Sequence, residues 1–259
     1  MAESGVQQPV LQVIAHGTCS AQIRARLTDI AVNAFADDDS FAWRYPRREE
    51  YPAHNRALFA GYLNDDLLNP SAWVVAAYLD GQIVGYATWQ RKGAPLESMD
   101  EPARDCWLQR TERALLGLQQ RASAFLFPNP GAFMPAVNLM RRSFVDSAAQ
   151  LDALPNFATY LHLNVLAVDP AYQRRGVGSS LVTWGVTKSH HNDIPCALES
   201  SRAGKKVYMK CGFKEIGICD GIHAKNGQPF EDGMHCEQEG CQFAVGTVMI
   251  RRPGESANE

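Results

Sequence analysis

The sequence predicts an α+β protein in which strands and helices pack as separate layers. Two apolar runs flank Asp80-Gly81, the clearest short-range hairpin signal in the chain. A further apolar strand, 161–168, leads into a glycine-containing loop and then into a helix. A closing pair of strands is predicted after Phe213. Helical segments separate these strands, so a sheet flanked by helices is expected.

The first third of the chain predicts a strand, two helices and the hairpin, in that order. Leu11–Ala15 is the predicted strand, and apolar residues at helical spacing indicate helices over Ala21–Phe35 and Ala53–Leu68. The hairpin strands are Ala72–Leu79 and Gln82–Gln90.

A long insertion, about 93–157, separates the hairpin from the next strand. Within it, Glu101–Phe125 and Pro135–Leu151 are predicted helices, and the turn-rich segment Phe127–Gly131 separates them. The apolar side chains of the insertion are available for packing on the sheet or for contact with a second subunit.

The strand 161–168 is predicted to be central and buried. A period of two places Leu161, Leu163, Val165 and Ala167 on one face, and His162, Asn164, Leu166 and Val168 on the other. Both faces are mostly apolar, which is typical of a strand covered on both sides. Asp169-Pro170 ends the strand, because proline cannot donate to a ladder.

The loop after this strand is suited to binding a pyrophosphate. A helix begins near Gly176, and its first N–H groups lack internal partners at the positive end of the helix dipole. Gly176 and Gly178 allow a ligand to approach the main chain, and Arg174 and Arg175 add positive charge.

Two other phosphate loops compete for this segment. No Walker-type run is present. A dinucleotide-binding fingerprint is favoured by Gly176-x-Gly178 and by Glu199 about twenty residues later. It is disfavoured by Leu181 at the third glycine position and by the long connection Asp169–Arg175. A dinucleotide-dependent oxidoreductase is therefore a remote alternative.

A second motif follows the glycine loop. Pro195–Ser200 is a predicted strand, and a short helix is predicted over about Arg202–Cys211. Gly212 takes the left-handed position after the helix, with the apolar Phe213 beyond it. The closing strands are then expected at the segments Lys214–Cys219 and Val245–Arg251.

Two segments resemble the hallmarks of the GCN5-related N-acetyltransferase (GNAT) superfamily. Gln173-Arg174-Arg175-Gly176-Val177-Gly178, with its preceding strand, is similar to motif A, and Tyr208-Met209-Lys210-Cys211-Gly212-Phe213 is similar to the Tyr-x-Lys-x-Gly-Phe motif. The resemblance implies one GNAT acyl-CoA N-acyltransferase domain over residues 1–259. Its central sheet would be mixed, mostly antiparallel and flanked by helices, with the helical insertion before the motif A strand.

The resemblance implies an acetyl-CoA-dependent N-acetyltransferase that transfers an acetyl group to a primary amine by direct attack in a ternary complex. Acetyl-CoA would be the acyl donor cosubstrate. The backbone N–H of Leu166 would face the oxyanion, and Ala167 and Val168 would pair with the pantetheine amides. The expected coenzyme-binding residues are Leu166, Ala167, Val168, Gln173, Arg174, Arg175, Gly176, Val177, Gly178 and Ser179.

Three residues are candidates for catalysis. The resemblance implies that Tyr208 protonates the departing thiolate, and a phenol, with an ordinary pKa of about 10, is able to hold that proton at neutral pH. A structural, half-buried tyrosine is the alternative. His162 is a candidate base by similarity to arylalkylamine N-acetyltransferases, although Asn164 stands where those enzymes have a second histidine. Glu199 is the competing base, or a cap of the next helix.

Composition excludes several classes of protein and partner. The net charge of −3 gives no indication of nucleic-acid binding. No apolar run of transmembrane length and no signal peptide are present, so a cytoplasmic protein without membrane attachment is expected. Seven cysteines, an odd number, fit reduced thiols. No metal site is expected, because the spacing of Cys219, His223, His235, Cys236 and Cys241 matches no common zinc finger.

The acceptor is expected to be a small-molecule amine rather than a protein lysine. The acidic run Asp37–Asp39 suits a cationic amine, or else is a solvated loop that caps a helix. The insertion is a candidate lid over the acceptor or a homodimer contact, and the polar loop 220–244 has no assigned role. A non-catalytic acyl-CoA-binding sensor or scaffold is the alternative function.

Overall fold

The computed structural model describes residues 8–96, 98–99, 107–219 and 246–255. Within them, seven strands form one mixed sheet in the order β1-β2-β3-β4-β5-β7-β6. The pairing is antiparallel except between β4 and β5. The strands are β1 (Val10–Ile14), β2 (Ala72–Leu79), β3 (Gln82–Lys92), β4 (Tyr160–Val168), β5 (Cys196–Ser200), β6 (Lys214–Cys219) and β7 (Gly246–Arg251).

Helices cover both faces of this sheet, as the α+β prediction requires. They are α1 (Ala21–Ala34), α2 (Asp39–Arg44), α3 (Pro52–Leu68), α4 (Trp107–Leu126), α5 (Met134–Asp152), α6 (Val177–His191) and α7 (Lys205–Lys210). Short 3₁₀ turns lie at His16–Thr18 and Pro170–Tyr172. All predicted strands and helices are present within a few residues of their expected ends, although α7 is shorter than predicted and residues 101–106 lie outside the described part.

The helix α2 is an addition to the predicted elements. Asp38 caps it, because the carboxylate accepts a hydrogen bond from the Phe41 N–H at 2.7 Å. The acidic run therefore has the capping role that was one of its two interpretations. Tyr45, at the end of α2, is buried and packs against Phe41.

The hairpin between β2 and β3 turns at Asp80 and Gly81, with φ of 50° and 74°. Two consecutive positive φ values are typical of the tight turn that the Asp-Gly pair predicts. The turn aligns β2 and β3 along their length, and β3 in turn pairs with β4.

A bulge interrupts β4 at Asn164. Thr88 pairs with Val165 and Trp89 with Leu163, so Asn164 has no opposite residue in β3. The prediction of strict alternation along β4 is therefore wrong. Because of the extra residue, the alternation of side chains between the two faces of β4 is reversed beyond Asn164. The side chains in the core beneath α6 are Leu161, Leu163, Leu166 and Val168. Those in the core beneath α1 and α3 are Val165 and Ala167.

The parallel pairing of β4 with β5 is short. It covers Leu161–Cys196 and His162–Ala197, and the two strands have no further paired residues. From the bulge onward, β4 is therefore paired only with β3. The edge of β4 that faces β5 is unpaired over this part of the strand. The bulge also places His162 on the face opposite Leu166, which corrects the expectation that the two side chains point the same way.

Candidate active site

The loop between β4 and α6 exposes the start of a helix. Gly176 caps α6 with a φ of +82° and supplies no side-chain acceptor for the N–H groups of the first turn. A Cβ added to Gly176 would meet no atom within 4 Å, so the space beside it is open. Val177 is buried and anchors the helix, whereas Arg174 and Arg175 are exposed. The geometry is that of an anion site formed by main-chain N–H groups.

Side-chain contacts tie this loop to the end of β4. Gln173 Nε2 donates to the Val168 carbonyl oxygen at 3.2 Å, and the Arg175 guanidinium lies 5.2 Å from the centre of the Tyr172 ring. A Cβ at Gly178 would lie within 4 Å of Val168, Leu166 and Val207 side chains. The expected coenzyme-binding residues are therefore close together, where β4 ends and where α6 and α7 meet.

A groove of about 810 Å³ continues from the loop along α6. One stripe of the helix lines it, and residues at the start of β1 form the opposite wall. The stripe includes Gly176, Ser180, Trp184, Lys188 and His191.

A second feature, at the other end of β4, is a buried network of polar side chains around His162. His162 Nε2 lies 2.9 Å from Glu199 Oε2, and their side chains are only 12% and 14% exposed. Glu199 also accepts a hydrogen bond from the Ser147 hydroxyl of α5. On the other side of the ring, His162 Nδ1 lies 2.9 Å from Asn164 Oδ1, and Asn164 Nδ2 donates to Asp66 Oδ1 at 3.1 Å.

These contacts favour a charged His162 paired with an ionised Glu199. Burial alone would lower the pKa of His162, but the Glu199 carboxylate raises it, and the net pKa is raised. Burial alone would raise the pKa of Glu199, but His162 and the Ser147 hydroxyl lower it, and the net pKa is lowered. Asn164 Nδ2 is directed at Asp66 and Gln90, so the atom of Asn164 that faces the ring is the acceptor Oδ1. His162 Nδ1 is therefore the hydrogen-bond donor in this contact.

Two further charged groups lie beside the pair. Burial raises the pKa of Asp66, and the hydrogen bond from Asn164 offsets this only in part. Burial lowers the pKa of Lys92, although Glu199 and Asp66 oppose that shift. The cluster therefore contains two carboxyl groups, an imidazole and an amine whose proton affinities depend on one another.

Tyr208 lies on α7, against the core beneath α6. Its side chain is buried and packs near Phe213, with 6.2 Å between ring centres. Burial raises the pKa of Tyr208 above its ordinary value, so the phenol keeps its proton at neutral pH. Cys211, at the end of the same helix, is half-buried, and burial raises the pKa of its thiol.

The structure brings the predicted candidates His162 and Glu199 into direct contact, which rules out the helix-capping alternative for the Glu199 carboxylate. It adds Asp66 and Ser147, which sequence reasoning missed. A signal for Asp66 exists, because it continues the buried stripe of Phe59 and Leu63 on α3. Ser147 likewise lies on the buried stripe of α5, where a polar residue needs a partner.

Four of the five residues considered as zinc ligands lie outside the described residues: His223, His235, Cys236 and Cys241. Cys219 is described, and its thiol is buried at the end of β6. Among the described residues, no helix combines the length and the apolar character that crossing a bilayer requires.

Comparison with known proteins agrees with this arrangement. Residues 144–215 match the family model for the acetyltransferase (GNAT) domain, a span that contains β4, α6, β5 and α7. The chain is 26% identical over 204 residues to an acetyltransferase of Stachybotrys chartarum, covering 74% of this chain and 77% of that protein. It is 26% identical over 211 residues to an uncharacterized N-acetyltransferase of Schizosaccharomyces pombe, covering 78% and 83%.

The fold agrees with that of a solved protein from Corynebacterium glutamicum, described as histone acetyltransferase HPA2 and related acetyltransferase. The two structures align with a TM-score of 0.55 at 18% identity, over 96% of this chain and 99% of the other. The predicted fold class is confirmed, with a mixed, mostly antiparallel sheet and a helical insertion before β4. The chain therefore carries a segment that matches the acetyltransferase (GNAT) domain, and it is similar over most of its length to proteins described as acetyltransferases.

Proposed function

We propose that the protein transfers the acetyl group of acetyl-CoA to a small primary amine by direct attack in a ternary complex. One observation carries the proposal. The anion-binding start of α6 and the His162–Glu199 pair lie at opposite ends of β4, and between them β4 has left β5. A donor held along that released edge would present its reactive end to the pair.

The residues at the loop fit the coenzyme. The open space beside Gly176 accommodates phosphate oxygens, and the exposed Arg174 and Arg175 complement their charge. Leu166, Ala167 and Val168 offer main-chain groups along the strand, and Gln173, Val177, Gly178 and Ser179 complete the proposed coenzyme-binding set. When bound, acetyl-CoA supplies an activated thioester.

The His162–Glu199 pair is proposed to accept the proton that the amine loses. An amine attacks only in its neutral form, so a nearby group must hold its proton. Because Glu199 raises the pKa of His162, the pair has to lose a proton before it can accept one. Activity is therefore expected to rise with pH, and the midpoint of this rise is expected to lie above the ordinary pKa of histidine, about 6.5.

A small, cationic acceptor is favoured by the surroundings of the pair. Asp66 adds a second carboxyl group within the network, which complements the positive charge of an ammonium group before it loses its proton. The pair itself is mostly covered by protein. A slender aliphatic or arylalkyl amine reaches such a site more readily than a lysine on a folded protein surface.

Direct attack is favoured over a covalent acetyl-cysteine. Cys211 is the cysteine nearest the second motif, and its raised pKa leaves it as a thiol, which is a weak nucleophile. The cysteines within the described residues are unpaired, in keeping with the reducing cytoplasm that we propose as the location.

We propose that Tyr208 protonates the departing thiolate, and Tyr208→Phe tests this role. The variant is expected to lower kcat by about a hundredfold, because the departing thiolate loses its proton donor, and to change coenzyme affinity by less than about twofold. Initial rates and calorimetric titration with acetyl-CoA measure the two effects. Tyr45→Phe, which alters another buried tyrosine, packed against Phe41 at the end of α2, is the matched control and is expected to keep most of its turnover. An unchanged kcat in Tyr208→Phe would leave Tyr208 with a structural role only.

The function itself is tested by thiol release from acetyl-CoA in the presence of a panel of amines. Polyamines, arylalkylamines, amino sugars and a lysine peptide form the panel, and the small amines are expected to give the fastest release. Coenzyme binding without release for any amine would favour the sensor instead. A spectral change with a nicotinamide dinucleotide, and no response to acetyl-CoA, would favour the oxidoreductase.

A further inference from the structure

The helix α4 presents a stripe of apolar side chains to solvent, while polar side chains on its other side bond to the protein. Arg113 Nη1 donates to the Leu68 carbonyl oxygen at 3.2 Å, and Gln120 Nε2 donates to Asp65 Oδ1 at 2.9 Å. Large apolar side chains point away, with exposed fractions of 61% for Leu115, 64% for Leu118 and 86% for Phe125. A contiguous exposed apolar face of this kind marks an interaction surface.

The exposed residues follow the spacing of a coiled coil. They recur at alternating steps of three and four along α4, as the a and d positions of a heptad repeat do. We call them the α4 seam: Leu108, Thr111, Leu115, Leu118, Ala122 and Phe125, all exposed. The half-buried Gln109, Arg113, Leu116 and Gln120 occupy the opposite side of the helix, which rests on α3 and its surroundings.

The seam is complementary to itself when two copies run antiparallel. A two-fold axis between Leu115 and Leu118 places Leu115 of one copy opposite Leu118 of the other. The same axis places the small Thr111 opposite the small Ala122, and Leu108 opposite Phe125. Each layer then pairs an a position with a d position, and side chains of matching size meet in every layer. A contact of this symmetry closes after two copies.

We propose that the chain forms a homodimer through an antiparallel coiled-coil contact between two α4 seams. The occupant is a second copy because the stripe has the narrow width of an a/d seam and a palindromic order of side-chain sizes. A helix lying in a membrane interface needs a broader apolar face and no such order. The charged residues Glu112 and Arg121 lie on either side of the seam and limit the width of its apolar surface. The proposal does not depend on the proposed function.

Sedimentation velocity of the full chain over about 1–100 µM tests the dimer. We expect a species of twice the 28.6 kDa of the chain, and a monomer for Leu115→Arg/Leu118→Arg. Phe144→Arg is the matched control, because Phe144 is a similarly exposed apolar residue on α5, outside the seam, and it is expected to remain dimeric. Circular dichroism and coenzyme titration verify that each variant is folded.

A second pair of variants tests the direction of the helices. Thr111→Glu/Ala122→Lys places opposite charges across an antiparallel seam, whereas Thr111→Glu/Ala122→Glu places like charges there. The dimer Kd is expected to be at least about tenfold lower for the first variant than for the second. Equal values would overturn the antiparallel register. A wild-type monomer at all concentrations, a dimer that survives Leu115→Arg/Leu118→Arg, or seam-dependent binding of the monomer to anionic vesicles would overturn the proposal.

Discussion

Gly176→Asp is expected to weaken acetyl-CoA binding by at least about a hundredfold. The substitution places a carboxylate at the start of α6, where the phosphates of the coenzyme are proposed to bind. Two negative charges about 4 Å apart near a protein surface repel each other by about 4 kcal/mol. The fold is expected to tolerate the change, because a Cβ at this position meets no atom within 4 Å and aspartate adopts positive φ more readily than most residues.

Gly176→Asn separates charge from shape in this prediction. Asparagine matches aspartate in size and also tolerates the φ of +82°, but it carries no charge. Its affinity for acetyl-CoA is expected to remain within about tenfold of wild type, as measured by isothermal titration calorimetry. If both variants lose affinity equally, steric exclusion rather than charge explains the effect. If Gly176→Asp binds as wild type does, the coenzyme phosphates are held elsewhere.

Glu199→Gln is expected to lower kcat by about a hundredfold or more and to move the acidic limb of the pH–rate profile to lower pH. In the wild type, the carboxylate opposes the effect of burial and keeps the pKa of His162 raised. Without that carboxylate, burial dominates and the pKa of His162 falls. The residual activity of the variant should therefore appear at lower pH than that of the wild type.

Two controls identify the group that titrates. Glu215→Gln removes a half-exposed carboxylate that pairs with Lys205 on the surface. This variant should leave kcat and the acidic limb of the pH–rate profile unchanged. His162→Gln should remove the limb altogether. If the limb persists in His162→Gln, the titrating group is Asp66 or bound water. A Glu199→Gln profile identical to that of the wild type would contradict the proposed role of the pair.

Much of the fold follows from local patterns in the sequence. The Asp80-Gly81 turn and the Gly212 cap have φ values that the sequence chemistry predicts, and the glycine loop lies at a helix start as expected. These features depend on neighbours within a few residues. The helix α2 was missed because it is only six residues long, although Asp38 was correctly weighed as a capping residue.

The bulge at Asn164 was not predictable, because a period-two pattern with one extra residue looks like ordinary alternation in a mostly apolar strand. That one residue decides which face His162 occupies. The contacts of His162 with Glu199, and of Glu199 with Ser147, join segments 37 and 52 residues apart in the sequence. No local pattern encodes the partner of a buried polar group over such separations, so His162 and Glu199 were predicted separately, whereas Ser147 and the network that joins them were not.

In the proposed mechanism, the hydrogen bond from Ser147 to Glu199 gives α5 a part in holding the proton acceptor, although α5 lies outside the two hallmark segments 173–178 and 208–213. An enzyme shortened or grafted at α5 would retain both hallmark segments and still lose one of the donors that keep the Glu199 carboxylate ionised. Where relatives with different insertions differ in rate or in pH optimum, the residue at the position of Ser147 is then the first place to look for the cause. Divergence in a segment remote from the glycine loop would in this way retune the proton acceptor.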